Sequence, residues 1–349
     1  MQDLHKDLKS LTLDQLENIV EGFGSKSFHA AYLYEYIHSR DGVYVNDVTT
    51  LSKGLRAQLI ENGWYISQLK TVEKFTDPDG TLKYLFENED GGRFESVLLN
   101  DDNRLTLCIS SQCGCRMGCK FCATARLEFR QDLSVGQIVD QVYRVNADAG
   151  RIDNVVFMGM GEPFDNTENV FAAADILNSA KGLNIGARHI TISTCGIPGP
   201  IEALACHDKQ YRLAVSLHAA DDQTRRKLMP VNSKYPLKDL LSAVKNYCRQ
   251  TNRRVTFEYC LIDGVNDSAD NAKQLVKLIE GIKCNVNLIE FNPFEGCSFK
   301  SSPRRKIQAF RDVLDMAGIE AHTRYKRGRS IKAACGQLGA DWLEKQLCS

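Results

Sequence analysis

The first 70 residues carry hydrophobic positions at helical spacing. From Leu13 onward, apolar residues recur three or four positions apart, which is typical of an amphipathic helix. Thr12 and Gln15 form a capping-box pattern, and this pattern predicts where the helix begins. A second run of the same kind over 28–37 predicts another helix. We therefore expect a helical accessory domain over residues 1–70.

Short alternating runs follow between residues 71 and 103. The segments TLKYLFE and RFESVLLN are bounded by Asp-Pro-Asp-Gly and Asp-Gly-Gly sequences, which favour tight turns. We expect a β-hairpin extension here that leads into the main domain.

From residue 104 onward, short apolar runs alternate with helical runs, an order typical of βα units and a parallel sheet. The candidate strands are LTLCI (105–109), NVVFM (154–158), HITIS (189–193), LAVSL (213–217), VTFEYCL (255–261) and NVNLIEF (285–291). Helices are predicted between them, for example over 134–146, opened by a Ser134/Gln137 capping box, and over 236–249. Six units are fewer than the eight of a closed barrel, so we expect an α/β fold with a partial (β/α)6 barrel over 104–324. An open doubly wound sheet is the alternative.

Unusual residues stand where the predicted strands end. The first strand runs into a cysteine loop, the second into GMGEP, the third into STCG, the fourth into SLH, and the sixth is followed by Asn292. Both architectures bind ligands at the carboxyl ends of parallel strands. We therefore expect the functional groups at this edge of the sheet.

Composition indicates the class of protein and its compartment. The chain has 349 residues, 43% of them hydrophobic and 25% charged, which is typical of a globular protein with a sizeable core. The N-terminus lacks the apolar region of a secretory signal, and no stretch of 18 residues lacks strongly polar interruptions. We therefore predict a soluble, cytoplasmic protein without a membrane segment.

The balance of charge limits how the chain could bind nucleic acid. The 44 basic and 44 acidic residues give a formal net charge of zero, which argues against coating of nucleic acid through bulk electrostatics. Residues 300–332 nevertheless contain ten basic and three acidic side chains. This stretch could bind a polyanion locally, and a solvated helix face with a charged tail is the alternative.

Thirteen cysteines in a reducing compartment indicate metal ligands, reactive thiols or packing residues rather than a disulfide framework. Four of them lie among apolar neighbours in predicted helices and strands, and we assign them to packing: Cys206, Cys248, Cys260 and Cys284.

The loop after the first strand holds Cys115-x3-Cys119-x2-Cys122, with Phe121 before the last cysteine. Structural zinc sites and electron-transfer clusters use four protein ligands, so three thiolates suggest a cluster with one open iron. Cys113 could be a fourth ligand, but a single residue separates it from Cys115. The same spacing would also place three cysteines on one face of a buried helix, and the glycines and charges of the loop argue against that helix.

Several ordered motifs together resemble one family. LCISSQCGCRMGCKFCAT, FMGMGEP, STCG, VSLHA, LMPVN, FEYCLIDGVND, EFNP and AACGQL, spread over residues 85–340, are similar to the RlmN/Cfr family of radical S-adenosylmethionine (SAM) RNA methyltransferases. The chain departs from the family's pattern at Phe164-Asp165 and at Cys195, and these departures bear on which atom is methylated.

The resemblance implies a 4Fe-4S cluster held by Cys115, Cys119 and Cys122, with SAM bound to the open iron. The implied contacts to SAM are Gly161, Glu162, Ser193, Ser216, Leu217, His218 and Asn292. In a C-terminal active-site segment over 325–349, Cys335 matches the cysteine that carries the methyl group. Its position near Lys332 and beside a glycine would favour the thiolate.

The resemblance also implies a reaction that consumes two SAM molecules per turnover. Cys335 accepts a methyl group from the first SAM, and radical chemistry with the second SAM attaches the methyl carbon to an adenine carbon of RNA. Cys108 then resolves the covalent adduct by forming a disulfide with Cys335, while Glu95 acts as the proton acceptor. An external electron donor must reset the cluster and the disulfide.

The expected reaction is methylation of the C2 carbon of adenine in 23S rRNA, with tRNA as a further substrate. C2 is favoured over C8, whose methylation would confer ribosomal antibiotic resistance, because GMGEP retains its proline. A radical SAM activase would need neither Cys335 nor Cys108. A zinc-stabilised RNA-binding protein, holding zinc through Cys113 and the three loop cysteines, is a non-enzymatic alternative. We expect a monomer.

Overall fold

The computed structural model describes residues 6–101, 104–324 and 327–347. Its helices are α1 (Leu13–Gly22), α2 (Phe28–His38), α3 (Lys53–Glu61), α4 (Val135–Ala149), α5 (Thr167–Asn178), α6 (Pro198–Cys206), α7 (Asp222–Leu228), α8 (Leu237–Thr251), α9 (Ala269–Leu278), α10 (Arg304–Met316) and α11 (Ala340–Leu347). Its strands are β1 (Lys70–Thr76), β2 (Leu82–Glu87), β3 (Arg93–Asp101), β4 (Arg104–Cys108), β5 (Gln112–Cys113), β6 (Gln131–Asp132), β7 (Asn154–Phe157), β8 (Ile190–Thr194), β9 (Arg212–Ser216), β10 (Val255–Leu261), β11 (Cys284–Glu290) and β12 (Ala321–Arg324).

A ten-stranded sheet organises these elements in the order β1-β2-β3-β4-β7-β8-β9-β10-β11-β12. Strand β4 and strands β7 to β12 run parallel to one another. The six predicted parallel strands are β4 and β7 to β11, which confirms the α/β class and the partial barrel. Strand β12 was not predicted and continues the parallel array.

Strands β1, β2 and β3 form an antiparallel meander that joins the barrel through β4. The predicted hairpin is the β2–β3 pair, in which Leu85 lies opposite Glu95. Because side chains alternate between the faces of a strand, Lys83 shares the face of Leu85 and therefore that of Glu95. This register brings the two charged side chains together, with Lys83 Nζ 3.0 Å from Glu95 Oε1.

The predicted helix starts are confirmed by their caps. At α1, the Thr12 hydroxyl accepts a hydrogen bond from the Gln15 amide, and the Gln15 side chain accepts one from the Thr12 amide. Ser134 and Gln137 make the same reciprocal pair at the start of α4. These bonds satisfy amide groups that have no partner within the helix.

The N-terminal helices bury their own apolar cluster, which includes Leu16, Leu33 and Leu59. A buried ion pair docks this region on the barrel, since Lys9 Nζ lies 2.5 Å from Asp140 Oδ1 and both side chains are at most 1% exposed. The other oxygen of Asp140 accepts the Leu69 amide at 2.7 Å. The four-part division of the chain into domains remains a prediction.

The barrel core is lined by apolar side chains of the parallel strands, among them Val155, Ile192 and Val215. Of the four cysteines assigned to packing, Cys260 is buried, but Cys206 is exposed at the end of α6, so that assignment is wrong for Cys206. Across the described ranges, the helices are too short or too polar to cross a membrane.

Candidate active site

The three-cysteine loop lies between β5 and a short 3-10 helix (Thr124–Arg126). Gly114 and Gly118 have φ of 86° and 68°, so the loop is not the buried helix that the spacing alone also allowed. The pKa of the Cys119 thiol is raised, first by burial and then by the like charges of Cys122 and Cys115. The Cys119 thiol therefore lies near those of Cys115 and Cys122.

Cys113 stands apart from this group. It is buried on β5, and its Sγ lies beside Gly92, where an added Cβ would be 3.1 Å away. In the described ranges, no three His, Cys, Asp or Glu side chains are gathered closely enough to share one metal ion. A tetrahedral zinc would need its sulfurs about 2.3 Å from one centre, whereas a cubane cluster binds each thiolate at a separate iron. The three loop thiolates, with Cys113 set apart, are the donor set of a cluster that leaves one iron open.

The GMGEP loop after β7 is packed against β5. Gly161 has φ of 100°, and a Cβ there would lie 2.6 Å from Cβ of Gln112. Gln112 Oε1 in turn accepts the Glu162 amide at 2.9 Å. The carboxylate of Glu162 accepts the amides of Phe164 at 3.0 Å and Cys195 at 2.7 Å.

Glu162 thus joins two strand-end loops beside the cysteine loop. Burial raises the pKa of its carboxyl group, and the amide hydrogen bond from Cys195 opposes that shift. Both carboxylate oxygens already accept backbone amides. The predicted contact of Glu162 with SAM remains a prediction, and its evident role in this structure is to shape the site.

His218 follows β9 with φ of 57°. Its Nδ1 accepts the Cys260 amide at 2.9 Å, and its ring meets the Phe121 ring edge-to-face, with centroids 4.8 Å apart. Burial, followed by the charge of Arg225, lowers the pKa of His218 to about 3. The imidazole is therefore neutral with its proton on Nε2, which makes Nε2 a donor for a ligand.

The other strand-end residues differ in what they offer a ligand. Ser193 is buried near the end of β8, and Ser216 is the last residue of β9. Leu217 is fully buried, and its amide and carbonyl groups are already hydrogen-bonded within the protein. Any contact of Leu217 with SAM would therefore be apolar.

Arg225 on α7 was not predicted from the sequence, yet it joins the ends of β8 and β9. Its side chain is fully buried. The guanidinium donates to the carbonyls of Leu217 at 3.0 Å, Cys195 at 2.5 Å and Ser216 at 3.2 Å, and to Asn232 Oδ1 at 2.9 Å. A planar guanidinium has five donors in a fixed fork, so it can hold several loops at once.

Asn292, after β11, connects the barrel to the C-terminal segment. Its Nδ2 donates to the Cys335 carbonyl at 3.2 Å. Its Oδ1 is buried and has no hydrogen-bond partner among the described residues. Because a buried polar atom without a partner is costly, this oxygen fits a donor on a bound ligand such as an adenine amino group.

The segment around Cys335 is also tied to the cysteine loop. The Ala123 amide donates to the Gly336 carbonyl at 2.8 Å, and the Thr124 hydroxyl donates to the Leu338 carbonyl at 2.8 Å. These bonds place Cys335 over the carboxyl ends of the parallel strands, next to Cys122.

Cys335 and Cys108 are free thiols, and they lie close enough that a negative charge on Cys335 would raise the pKa of Cys108. The Cys335 residue is exposed to solvent, although the protein around it partly desolvates its thiol. Burial raises the pKa of Cys335, and the charge of Glu258 on β10 adds to the effect. Lys332, which was expected to favour the thiolate, pairs with Asp341 at 2.9 Å, and its effect on Cys335 remains a prediction.

Glu95 is buried on β3, and each of its carboxylate oxygens has a partner. Oε1 lies 3.0 Å from Lys83 Nζ, and Oε2 accepts the Gly339 amide at 2.8 Å. Burial raises the pKa of Glu95, and the charge of Lys83 opposes that shift. The carboxylate thus lies beneath the same segment that carries Cys335.

The basic stretch over 300–332 is partly neutralised. Lys306 pairs with Asp263 at 2.8 Å, and Arg327 pairs with Asp101 and donates to the Asn100 carbonyl at 2.9 Å. Lys326 lies outside the described residues. The exposed members include Arg304, Arg305 and Arg329.

The parallel sheet, the three-cysteine loop and the polar strand ends define a radical SAM site, and residues 109–276 match the radical SAM superfamily. The chain is 46% identical to the probable dual-specificity RNA methyltransferase RlmN of Caldicellulosiruptor saccharolyticus, over 95% of this chain and 96% of the relative. It is 44% identical to the dual-specificity RNA methyltransferase RlmN of Syntrophobacter fumaroxidans, over 96% and 98%. A radical SAM methyltransferase structure from Sphaerobacter thermophilus superposes with a TM-score of 0.89 at 42% identity, covering 96% of this chain and 99% of that one. This chain belongs to the RlmN family of radical SAM RNA methyltransferases.

Proposed function

We propose that this protein methylates an adenine carbon of RNA, with C2 of adenine in 23S rRNA as the favoured target and tRNA as a second substrate. The observation that carries the proposal is the placement of two free thiols, Cys335 and Cys108, beside the three-cysteine loop at the barrel mouth. The relatives' description as dual-specificity RNA methyltransferases supports two RNA substrates. Such an enzyme would act in the cytoplasm, and we expect a monomer.

Cys115, Cys119 and Cys122 would hold the 4Fe-4S cluster. SAM would lie between Gly161 at the GMGEP loop and Asn292, whose Oδ1 has no hydrogen-bond partner in the described part of the chain. When bound, the cluster and SAM supply the one-electron chemistry that removes a hydrogen atom from a methyl group. The protein orients the reactants and excludes water.

The remaining proposed SAM contacts are residues at or just after the ends of the parallel strands. Nε2 of His218 is free to donate a hydrogen bond, since Nδ1 is an acceptor for the Cys260 amide. The hydroxyls of Ser193 and Ser216 can bind polar groups of the cofactor. Glu162 and Leu217 would complete the site mainly by shaping it.

Cys335 would act as the methyl carrier. Its thiolate takes a methyl group from a first SAM, because the thiolate is the nucleophilic form of cysteine. A second SAM is consumed when the methyl carbon on Cys335 bonds to the adenine carbon, and RNA is then covalently attached to the protein.

Cys108 and Glu95 would release the product. Cys108 attacks the Cys335 sulfur, so that a disulfide bond forms as the carbon–sulfur bond breaks. The electron pair of that bond stays with the product and takes up a proton as the methyl group is completed. Glu95 accepts the proton lost from the ring carbon, the electron lost with it would pass to the cluster, and an external electron donor later reduces the disulfide.

Alanine variants of the two cysteines test this order of events. Cys335→Ala should bind iron normally and methylate no RNA, because the carrier is absent. Cys108→Ala should complete the earlier steps and stall with RNA attached to Cys335. Mass spectrometry after nuclease digestion should find a Cys335 peptide carrying one methylene and one adenosine fragment.

Cys206→Ala is the matched control, because Cys206 is exposed on α6, and it should behave as the wild type. Normal turnover by Cys108→Ala, or an adduct on another cysteine, would refute the two-cysteine assignment. Analysis of the modified nucleosides separates C2 from C8 methylation in the same experiment.

A further inference from the structure

Lys83 is a buried cation on β2. The sequence alone predicts only that this position belongs to a strand of the hairpin. The Lys83 side chain is 1% exposed. Its ammonium lies 3.0 Å from Glu95 Oε1, 2.7 Å from Asp341 Oδ2, and 4.8 Å from the centroid of the Phe75 ring. Burying an ammonium group is costly unless its partners compensate, and here two carboxylates and an aromatic face do so.

The ion pairs continue from the interior to the surface. Asp341 uses Oδ2 for Lys83 and Oδ1 for Lys332, at 2.7 and 2.9 Å. The side chains of Asp341 and Lys332 are 32% and 31% exposed. Charges of alternating sign thus run from Glu95 through Lys83 and Asp341 to Lys332.

This row of charges links two strands to the C-terminal segment. Lys83 lies on β2 and Glu95 on β3, whereas Asp341 and the Gly339 amide follow Cys335 by six and four residues. The groups that act on the Glu95 carboxylate are therefore Lys83 from the sheet, with Gly339 and Asp341 from the segment.

We propose that Lys83 is a positioning residue that keeps Glu95 ionised and oriented as the proton acceptor and, through Asp341, ties it to the segment that carries Cys335. This inference rests on the proposed function of Glu95. A buried carboxylate that loses its only contacting ammonium takes up a proton and can no longer act as a base.

The two neighbours of Glu95 have opposite effects on its ionisation. Lys83→Met removes the attracting charge, so Glu95 should ionise only at higher pH. Asp341→Asn removes a repelling charge that also competes for Lys83, so Glu95 should ionise at lower pH. General damage to the site would not shift two pH profiles in opposite directions.

The experiment follows the cluster-loaded protein with SAM and transcribed 23S rRNA. It measures how fast the covalent protein–RNA adduct is released as methylated RNA between pH 4.5 and pH 9, so that a shift of the profile in either direction falls within the range. For Lys83→Met we expect release at pH 7 to fall at least about tenfold, because most of the Glu95 carboxyl groups would be protonated at that pH, and to recover as the pH rises. Lys83→Arg should restore release to near the wild-type rate.

Two further variants serve as references. Glu95→Gln should release slowly throughout the pH range, because its side chain cannot accept the proton. Lys70→Met on β1 is the matched control, since Lys70 is 72% exposed and pairs at the surface with Glu87, and it should match the wild type.

The outcomes separate the inference from the proposal on which it rests. If Glu95→Gln releases product at the wild-type rate, the assignment of Glu95 as the base fails. If Glu95→Gln stalls while Lys83→Met keeps the wild-type pH profile, only the role of Lys83 is overturned. Should Lys83→Met not fold, an unshifted profile in Asp341→Asn overturns that role equally.

Discussion

Gly161 is the position where an added methyl group should disturb the site most directly. A Cβ on Gly161 would lie 2.6 Å from Cβ and 2.8 Å from the backbone nitrogen of Gln112. A backbone nitrogen cannot swing aside as the end of a flexible side chain can. In Gly161→Ala, therefore, the GMGEP loop itself must move away from β5.

Two costs add in this variant. A φ of 100° disfavours any residue with a Cβ, and we assign about 1–2 kcal/mol to that strain. Overpacking against Gln112 adds about 1–3 kcal/mol. We expect the free energy of unfolding to fall by roughly 2–5 kcal/mol in total.

Gly150 offers a matched control, because its φ is 95° and nothing lies within 4 Å of an added Cβ. Gly150→Ala should show only the conformational cost, about 1–2 kcal/mol in urea denaturation. Only Gly161→Ala should also weaken SAM binding to the cluster-loaded protein, because Glu162 moves with the loop. We expect the affinity to fall at least about tenfold, which is a loss of about 1.4 kcal/mol of binding free energy. Equal losses of stability in the two variants would refute the steric argument.

Two further predictions concern a buried histidine and the ligands of the cluster. The pKa of His38 is lowered to about 3 by burial and by the charge of Lys9, so the folded state stays neutral while the unfolded chain protonates near 6.5. This difference in pKa stabilises the folded state above pH 6.5, and the stabilisation is lost as the pH falls. The free energy of unfolding should therefore decrease by about 2 kcal/mol between pH 7 and pH 5. In His38→Gln, denaturation measured across this pH range should show a smaller decrease. Cys119→Ala should abolish iron binding whereas Cys113→Ala keeps it, as measured by iron content after anaerobic purification, and iron loss in both variants would restore Cys113 as a ligand.

Periodicity located the main elements because their burial is regular. Strands β7 to β11 are short apolar runs, and α4 buries one face along its length, so the pattern in the chain matches the pattern of burial. Strand β1 was missed because most of its residues are exposed and do not alternate. Strand β12, with four residues and one buried side chain, carries too little apolar signal to be recognised.

The site was predictable where function depends on local spacing. The cysteine triplet and the strand-end motifs are each a short continuous run of residues that can be recognised by itself. The barrel brings these runs together at one edge of the sheet. Glu95 shows the limit of this reasoning. On sequence alone it resembles an exposed strand carboxylate, yet it is 1% exposed because the segment around Gly339 covers it, 244 residues further along the chain.

The residues that were missed are buried charges whose partners are distant in sequence. Arg225 lies in the charged helix DQTRRKL, where nothing distinguishes it from solvated neighbours, and it reaches Cys195, 30 residues earlier. Lys83 and Asp341 are 258 residues apart. Because burial of such groups is costly unless each has a partner, their positions mark where the fold holds separate segments together. In this chain those positions adjoin Cys195 and the segment of Cys335, so the buried charges stabilise the parts of the barrel mouth that the proposed reaction uses.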